Sequence, residues 1–193
     1  MTASVPQAYF DALYAREADP WRFETSAYET HKYEMSLAAL PARHFATALE
    51  LGCSIGVLTR LLAERCDALL AVDGSALALD RARRRCADVP QVQFRRLRIP
   101  GEWPHGVFDL IMLSEILYFL DSADIQRCAT LVRAGVSAGG AVLLVNYLGE
   151  TNNPITGEEA AETFIAACAG RLSLASQLRE SQWRLDLLLT EDG

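Results

Sequence analysis

The stretch Ala48-Leu49-Glu50-Leu51-Gly52-Cys53-Ser54-Ile55-Gly56-Val57-Leu58-Thr59 decides the fold. It is an apolar strand that runs into a loop holding two glycines and then into a helix. Glycine at 52 permits a tight turn and a close backbone approach, and amides at the start of the following helix bind polar ligand groups. About 20 residues further on, the apolar run Ala68-Leu69-Leu70-Ala71-Val72 ends in Asp73, a position from which a carboxylate accepts hydrogen bonds from both hydroxyls of a ribose. Taken singly, Gly52 reads as a simple turn and Asp73 as a cap for the helix beginning near Ser75. Strand, glycine loop, helix, strand and acid in that order read as a nucleotide-type binding site.

Outward from this unit, short apolar runs alternate with amphipathic segments, as a parallel α/β sheet requires. The runs fall near 46–51, 68–73, 92–97, 107–114 and 140–146, and residues 56–66, 75–87, 123–134 and 157–169 carry helical spacing. The stretches LSLASQLRE (172–180) and WRLDLLLTE (183–191) read as a hairpin on the sheet edge. The expected fold is α/β, a Rossmann-like, doubly wound, mostly parallel sheet of about seven strands with helices on both faces. No repeat or low-complexity linker divides the chain, so residues 1–193 read as one domain, with 1–45 an N-terminal helical lid and 46–193 the core.

At 193 residues a domain buries a core without disulfide or metal staples. Hydrophobic residues make up 51% of the chain, yet no apolar run reaches the ~18 residues that a membrane-spanning helix needs. The start, MTASVPQAYFDALYARE, lacks the basic and apolar stretches of a secretory signal, which predicts a cytoplasmic protein. Cys53, Cys66, Cys86, Cys128 and Cys168 form no CxxC pair and are odd in number, arguing for small buried hydrophobes over a disulfide framework or zinc site. His31, His44 and His105 are scattered, and no metal is expected. The formal charge of −7 has the wrong sign for neutralising phosphates, so nucleic acid is not an expected partner, nor is a membrane. Arg81, Arg83, Arg84 and Arg85, with Arg95, Arg96 and Arg98, are open to two readings: a local basic patch, or the solvated face of a helix whose apolar side is Leu77, Ala78, Ala82 and Cys86.

The loop resembles that of the class I S-adenosylmethionine-dependent methyltransferases, whose motif is acid-x-Gly-x-Gly-x-Gly, in contrast to the Gly-x-Gly-x-x-Gly of dehydrogenases. Glu50, Gly52 and Gly56 match, while Ser54 replaces the middle glycine. Within that class, DPWRF (19–23), YETHKYEM (28–35), FDLIMLSEILYFL (108–120) and SAGGAVLL (137–144) are similar to the NodS-type small-molecule methyltransferases. The resemblance implies that Glu50 and Gly52 lie beside the methionine end of the cofactor, that Asp73 and Gly74 meet the ribose, and that adenine sits near Leu97, Arg98 and Ile99. Cys53, Ser54, Gly56, Ser114 and Trp21 complete the implied cofactor set. Many relatives carry an acid at the place of Arg98; a guanidinium cannot accept the adenine amino hydrogen, so either backbone groups hold the base or Arg98 points to solvent.

The strand 108–113 delivers Ser114, Glu115 and Tyr118 to the carboxyl end of the sheet, where open α/β sheets bind ligands. Glu115 and Tyr118 are the candidate catalytic residues, Glu115 orienting an attacking amine or taking its proton; the alternatives are a helix cap and core packing. A fingerprint [DN]PP[YF] after this strand, frequent where adenine or glutamine nitrogens are methylated, is replaced by SEIL. An amine on a small metabolite is the expected acceptor, with a hydroxyl next, acted on by a monomer or homodimer that releases S-adenosylhomocysteine. A non-catalytic cofactor-binding protein and a nicotinamide-dependent oxidoreductase are the other readings, the latter disfavoured by the glycine spacing. Trp21, Phe23, Tyr28, His31, Lys32 and Tyr33 read as a lid over the sulfonium or as a helix docked on the sheet. Asn146, Tyr147 and the loop Asn152-Asn153-Pro154 form a second candidate wall.

Overall fold

The structure is a computed structural model that describes residues 3–191. Seven strands, β1 (Phe45–Leu51), β2 (Cys66–Asp73), β3 (Val92–Arg96), β4 (Phe108–Ser114), β5 (Val136–Tyr147), β6 (Leu172–Arg179) and β7 (Trp183–Thr190), form one sheet in the order β3-β2-β1-β4-β5-β7-β6. The neighbours from β3 to β5 are parallel, and β7 runs antiparallel between β5 and β6. The doubly wound sheet and its edge hairpin are thus as the apolar runs predict.

Continuous apolar strands such as Leu110-Ile111-Met112-Leu113, each residue fully buried, need cover on both faces. Alternate residues serve each face. Ile111 and Leu113 pack with Ile125, Cys128 and Val132 of α5 (Ser122–Gly135) and with Ala160 and Phe164 of α6 (Gly157–Cys168). Leu110 and Met112 pack with Tyr33 of α2 (Ala27–Ala39) and Leu58 and Leu62 of α3 (Val57–Leu62). Leu79 of α4 (Ala76–Arg85) covers Ala71 of β2 on that second face. Each such fully buried aliphatic side chain contributes roughly 1.5–3 kcal/mol. The starts of α4, α5 and α6 are set by side chains: Ser75 accepts from Ala78 N, Asp121 from Asp124 N, and Thr156 with Glu159 forms a reciprocal capping box. All five cysteines are buried free thiols.

Three boundaries differ from the sequence pattern. The helix after the glycine loop ends at Leu62 and tightens into a 3-10 turn, because Cys66 already pairs with Phe45 in the ladder. Strand β5 begins at Val136, ahead of the apolar run, opposite Phe108, and a register shift follows where Gly139 and Gly140 interrupt the pattern. The N-terminal segment contains a separate helix, α1 (Gln7–Arg16), which buries only Tyr14 and so carries little periodicity to read.

The chain leaves β1 toward β2 and leaves β4 toward β5, so the winding reverses between these two adjacent strands. Leu51 pairs with Leu113, which puts Gly52 and Ser114 on either side of one crevice at the carboxyl edge.

Candidate active site

That crevice opens into a cavity of ≈ 650 Å³, within the range of small-molecule sites. Its floor is the strand ends and its roof is α1 and α2. Gly52 turns the chain at φ +78°, and a Cβ there would collide with the side chain of Ile116. The amides of Gly52 and Cys53 both donate to the Val72 carbonyl, at 2.8 and 3.0 Å. Asp73 accepts from Ser54 N through Oδ2 at 3.0 Å and from Ser75 N through Oδ1 at 2.8 Å. It therefore ties the glycine loop to the next helix start while each oxygen keeps a lone pair for a ligand hydroxyl. Burial raises its carboxyl above the usual range. Glu50 is 1% exposed, its Oε2 has no hydrogen-bond partner, and burial pushes its carboxyl up to about 7.

Cys53, Ser54, Gly74, Leu97, Arg98, Ile99, Ser114 and Trp21 also line the cavity. Arg98 is exposed, and its amide donates to Glu102 Oε2 at 2.8 Å. Trp21 stacks on Phe23 with 5.5 Å between centroids and meets Tyr14 edge-on at 5.6 Å, packed with Ile55 and Ala78 on the glycine-loop side. Asp19 holds this turn by accepting from the amides of Phe23 and Glu24. Gly56 differs from expectation: it does not line the cavity. It caps α3 at φ +80°, and a Cβ would come within 2.9 Å of Ala82 Cβ, so it serves the packing of α3 on α4.

The other end of the cavity is charged and phenolic. Glu115 follows β4 at φ +55°, a left-handed conformation that costs a non-glycine residue about 1–2 kcal/mol, and its amide donates to Val145 O at 3.2 Å. Lys32 Nζ on α2 lies 2.5 Å from Glu115 Oε2, and 3.0 and 2.9 Å from the two oxygens of Glu29. Glu115 Oε1 and the Tyr28 hydroxyl are buried without partners. Burial raises the carboxyl of Glu29 and the phenols of Tyr28, Tyr33 and Tyr118. Tyr118 and Tyr147 complete this wall with Asn152 and Asn153. Asn146 does not belong to it: the residue before the end of β5 pairs with Arg184 inside the sheet, fully buried, with both side-chain amide atoms unpartnered. His31 is exposed and faces Trp183, away from the cavity.

Several cavity residues escaped the sequence pattern. Gln7, Phe10 and Tyr14 come from α1, and the Gln7 side chain sits against Gly74. Glu29, three residues before the lid candidate Lys32 in YETHKYEM, is not singled out by the sequence, and docking of the helix buries the two as a pair. The arginines of α4 serve neither reading alone: Arg81 donates to the carbonyls of Tyr14, Glu17 and Ala18, and Arg85 donates to Ile55 O and pairs with Glu24, so both fasten the N-terminal segment. Arg83 and Arg84 are exposed. Among the described residues no group of three or more His, Cys, Asp or Glu side chains forms a metal site, and no helix is long and apolar enough to cross a membrane.

Sheet order, glycine loop and the acid ending β2 define a Rossmann-like class I methyltransferase fold. The Nodulation protein S (NodS) family matches residues 10–140, more than half of the chain, and the chain belongs to that family. Nodulation protein S of Bradyrhizobium diazoefficiens is 36% identical over 103 residues, covering 53% of this chain and 49% of that protein; the chain spans about half the length of the curated relatives it matches. The crystal structure of N-methyltransferase NodS from Bradyrhizobium japonicum in complex with S-adenosyl-L-homocysteine superposes with a TM-score of 0.82 at 20% identity, covering 96% of this chain and 99% of that one. A Pseudomonas syringae protein provisionally assigned as a methyltransferase is 34% identical with a TM-score of 0.75, covering 85% of this chain and 99% of its own.

Proposed function

We propose that this chain transfers a methyl group from S-adenosylmethionine to an amine on a small-molecule acceptor, as an N-methyltransferase. The observation that carries the reading is that one cavity is lined by the nucleotide-type constellation of Glu50, Gly52 and Asp73 and also by Glu115, whose Oε1 is buried without a partner. The residues fit the cofactor. The orphaned Glu50 Oε2 suits the amino group of its methionine part, the spare lone pairs of Asp73 suit ribose hydroxyls, and the turn 97–99 borders the space left for adenine. When bound, the cofactor supplies an activated methyl on sulfur.

The chain's own part is to orient the acceptor and exclude water. Glu115 Oε1 accepts a hydrogen bond from the acceptor's ammonium and takes its proton, freeing the nitrogen lone pair. Tyr118 and Tyr28 offer hydroxyls around that nitrogen, and the Glu29–Lys32–Glu115 cluster carries a formal charge of about −1 that favours a cation. The first helix, α1, acts with Trp21 as a lid above a docked α2. Work in the cytoplasm agrees with the free thiols. A screen of amines, amino sugars and phenols for S-adenosylhomocysteine formation tests the reading: turnover with amines supports it, turnover with phenols alone moves it to O-methylation, and binding of cofactor without any turnover leaves a non-catalytic binding protein.

A further inference from the structure

We propose that Lys32 is a positioning residue for the transfer: its buried ammonium fixes Glu115 so that the free Oε1 faces the acceptor. The proposal rests on the methyl-transfer reading above and adds a residue to it. Lys32 is 1% exposed, and a lysine is rarely buried this far without carboxylate partners. Here it has two, Glu29 and Glu115, and it also stands 4.8 Å from the centroid of the Tyr28 ring. Glu29 is its neighbour on the same helix, so one carboxylate would suffice to keep the cation in place. The second belongs to a residue held in a left-handed conformation directly after β4. Such backbone persists when the surroundings hold it, and the Lys32 contact at 2.5 Å is the hold that reaches its side chain. With Oε2 engaged, Oε1 is left buried and unpartnered in the cavity wall, a state whose cost a donor on a bound ligand removes.

The groups that face this cluster are Glu29, Tyr28 and Tyr33 from α2, Tyr118 from the turn after β4, Tyr147 from β5 and Glu50 from β1. Lys32 is the cation among them. Removing it leaves two carboxylates facing each other across a phenolic wall, with nothing to fix the direction of Glu115.

The test is a double-mutant cycle of Lys32→Met and Glu115→Gln, read in two ways. In nitrogen-15 spectra of the ligand-free protein, a buried and paired ammonium exchanges its protons slowly enough to be seen. The Lys32 resonance, identified by its loss in Lys32→Met, is expected to move in Glu115→Gln. In turnover with an amine acceptor, each single variant is expected to lower kcat by about tenfold or more, with S-adenosylhomocysteine affinity within about twofold, and the double variant to lose no more than the worse single one. Lys32→Arg, which keeps the cation should Lys32→Met unfold, is expected to recover part of the turnover. A resonance that ignores Glu115→Gln, or losses that multiply in the double variant, overturns the positioning role. Absence of turnover in the parent protein sinks the methyl-transfer reading, a result that the ammonium spectrum does not depend on.

Discussion

The hydroxyl of Tyr14 on α1 is hydrogen-bonded to Oγ of Ser54, which stands where related enzymes carry the middle glycine of their loop. Ser54 is held at φ +49°, a backbone region that suits the glycine it replaces. The serine thus exchanges backbone ease for a link between the glycine loop and the N-terminal segment. Burial beside Asp73 keeps the Tyr14 phenol protonated, raising it far above the usual tyrosine range.

Tyr14→Phe is expected to lower stability by about 1 kcal/mol, through loss of one partly buried hydrogen bond. Ser54→Gly loses the same bond but relieves about 1–2 kcal/mol of left-handed strain, so its net effect stays within about 1 kcal/mol of the parent. Denaturant titrations of both variants and their combination check the link. If Tyr14→Phe costs as much in the Ser54→Gly background as alone, the two residues are not coupled.

Glu50 predicts a pH dependence of both stability and binding. Its folded carboxyl stands at about 7, above an ordinary value of 4.5, so between these values the folded state holds the extra proton and stability falls as pH rises. The loss across that window is on the order of 3 kcal/mol. Glu50→Gln is expected to flatten the window and to raise the melting temperature at pH 8. Above pH 7 the charged carboxylate meets the ligand's ammonium, so S-adenosylhomocysteine should bind the parent more tightly at pH 8 than at pH 6. Calorimetry that finds the same pH trend in Glu50→Gln removes Glu50 from the cofactor site.

Asp73→Ala is expected to weaken S-adenosylhomocysteine binding by tenfold or more, since two ribose hydrogen bonds are worth at least about 1.4 kcal/mol together. The structure adds a second consequence: the amides of Ser54 and Ser75 lose their acceptor, so stability falls as well, by about 1–3 kcal/mol. A variant that binds as tightly as the parent shows that the spare lone pairs are not used.

The sheet was legible because its signals are local. Apolar runs, Asp73 at a strand end and the glycine at 52 each follow from a few consecutive residues, and the winding rules then order the strands. The cavity end lined by Glu50, Gly52 and Asp73, being strand ends and one loop, follows from the same local signals. The acceptor half was not legible in the same way, because it is made by docking. Lys32 reads from its own helix as one of a lid group, and its pairing with Glu115, 83 residues away, is made only when that helix docks. Gly56 shows the converse: its place in the motif suggested ligand contact, while its backbone serves the packing of two helices.

The N-terminal segment is expected to divide into a fixed and a movable part, which hydrogen exchange separates. Helix α2 puts Tyr33 and the following Leu40 into the core beside Phe45, and Lys32 pins it to the end of β4. Its amides are therefore expected to exchange slowly with or without ligand. Helix α1 buries Tyr14 alone and is held from outside, by Arg81 on its last carbonyls, by Val5 N on Phe119 O, and by Ser4 on Asp124. Few buried contacts and many peripheral ones are the marks of a segment that opens at low cost. Residues 7–16 and the turn 19–23 are accordingly expected to exchange fast in the free protein and to slow when S-adenosylhomocysteine fills the space beneath Gln7 and Tyr14. Arg81→Ala should widen that difference by speeding exchange in the free state, with less effect on the bound one. Deleting residues 1–18 should abolish turnover or raise the acceptor's KM while α2 stays folded. Slow exchange in α1 that ligand leaves unchanged would mean a permanently closed roof, with entry to the cavity past Tyr147, Asn152 and Asn153 instead.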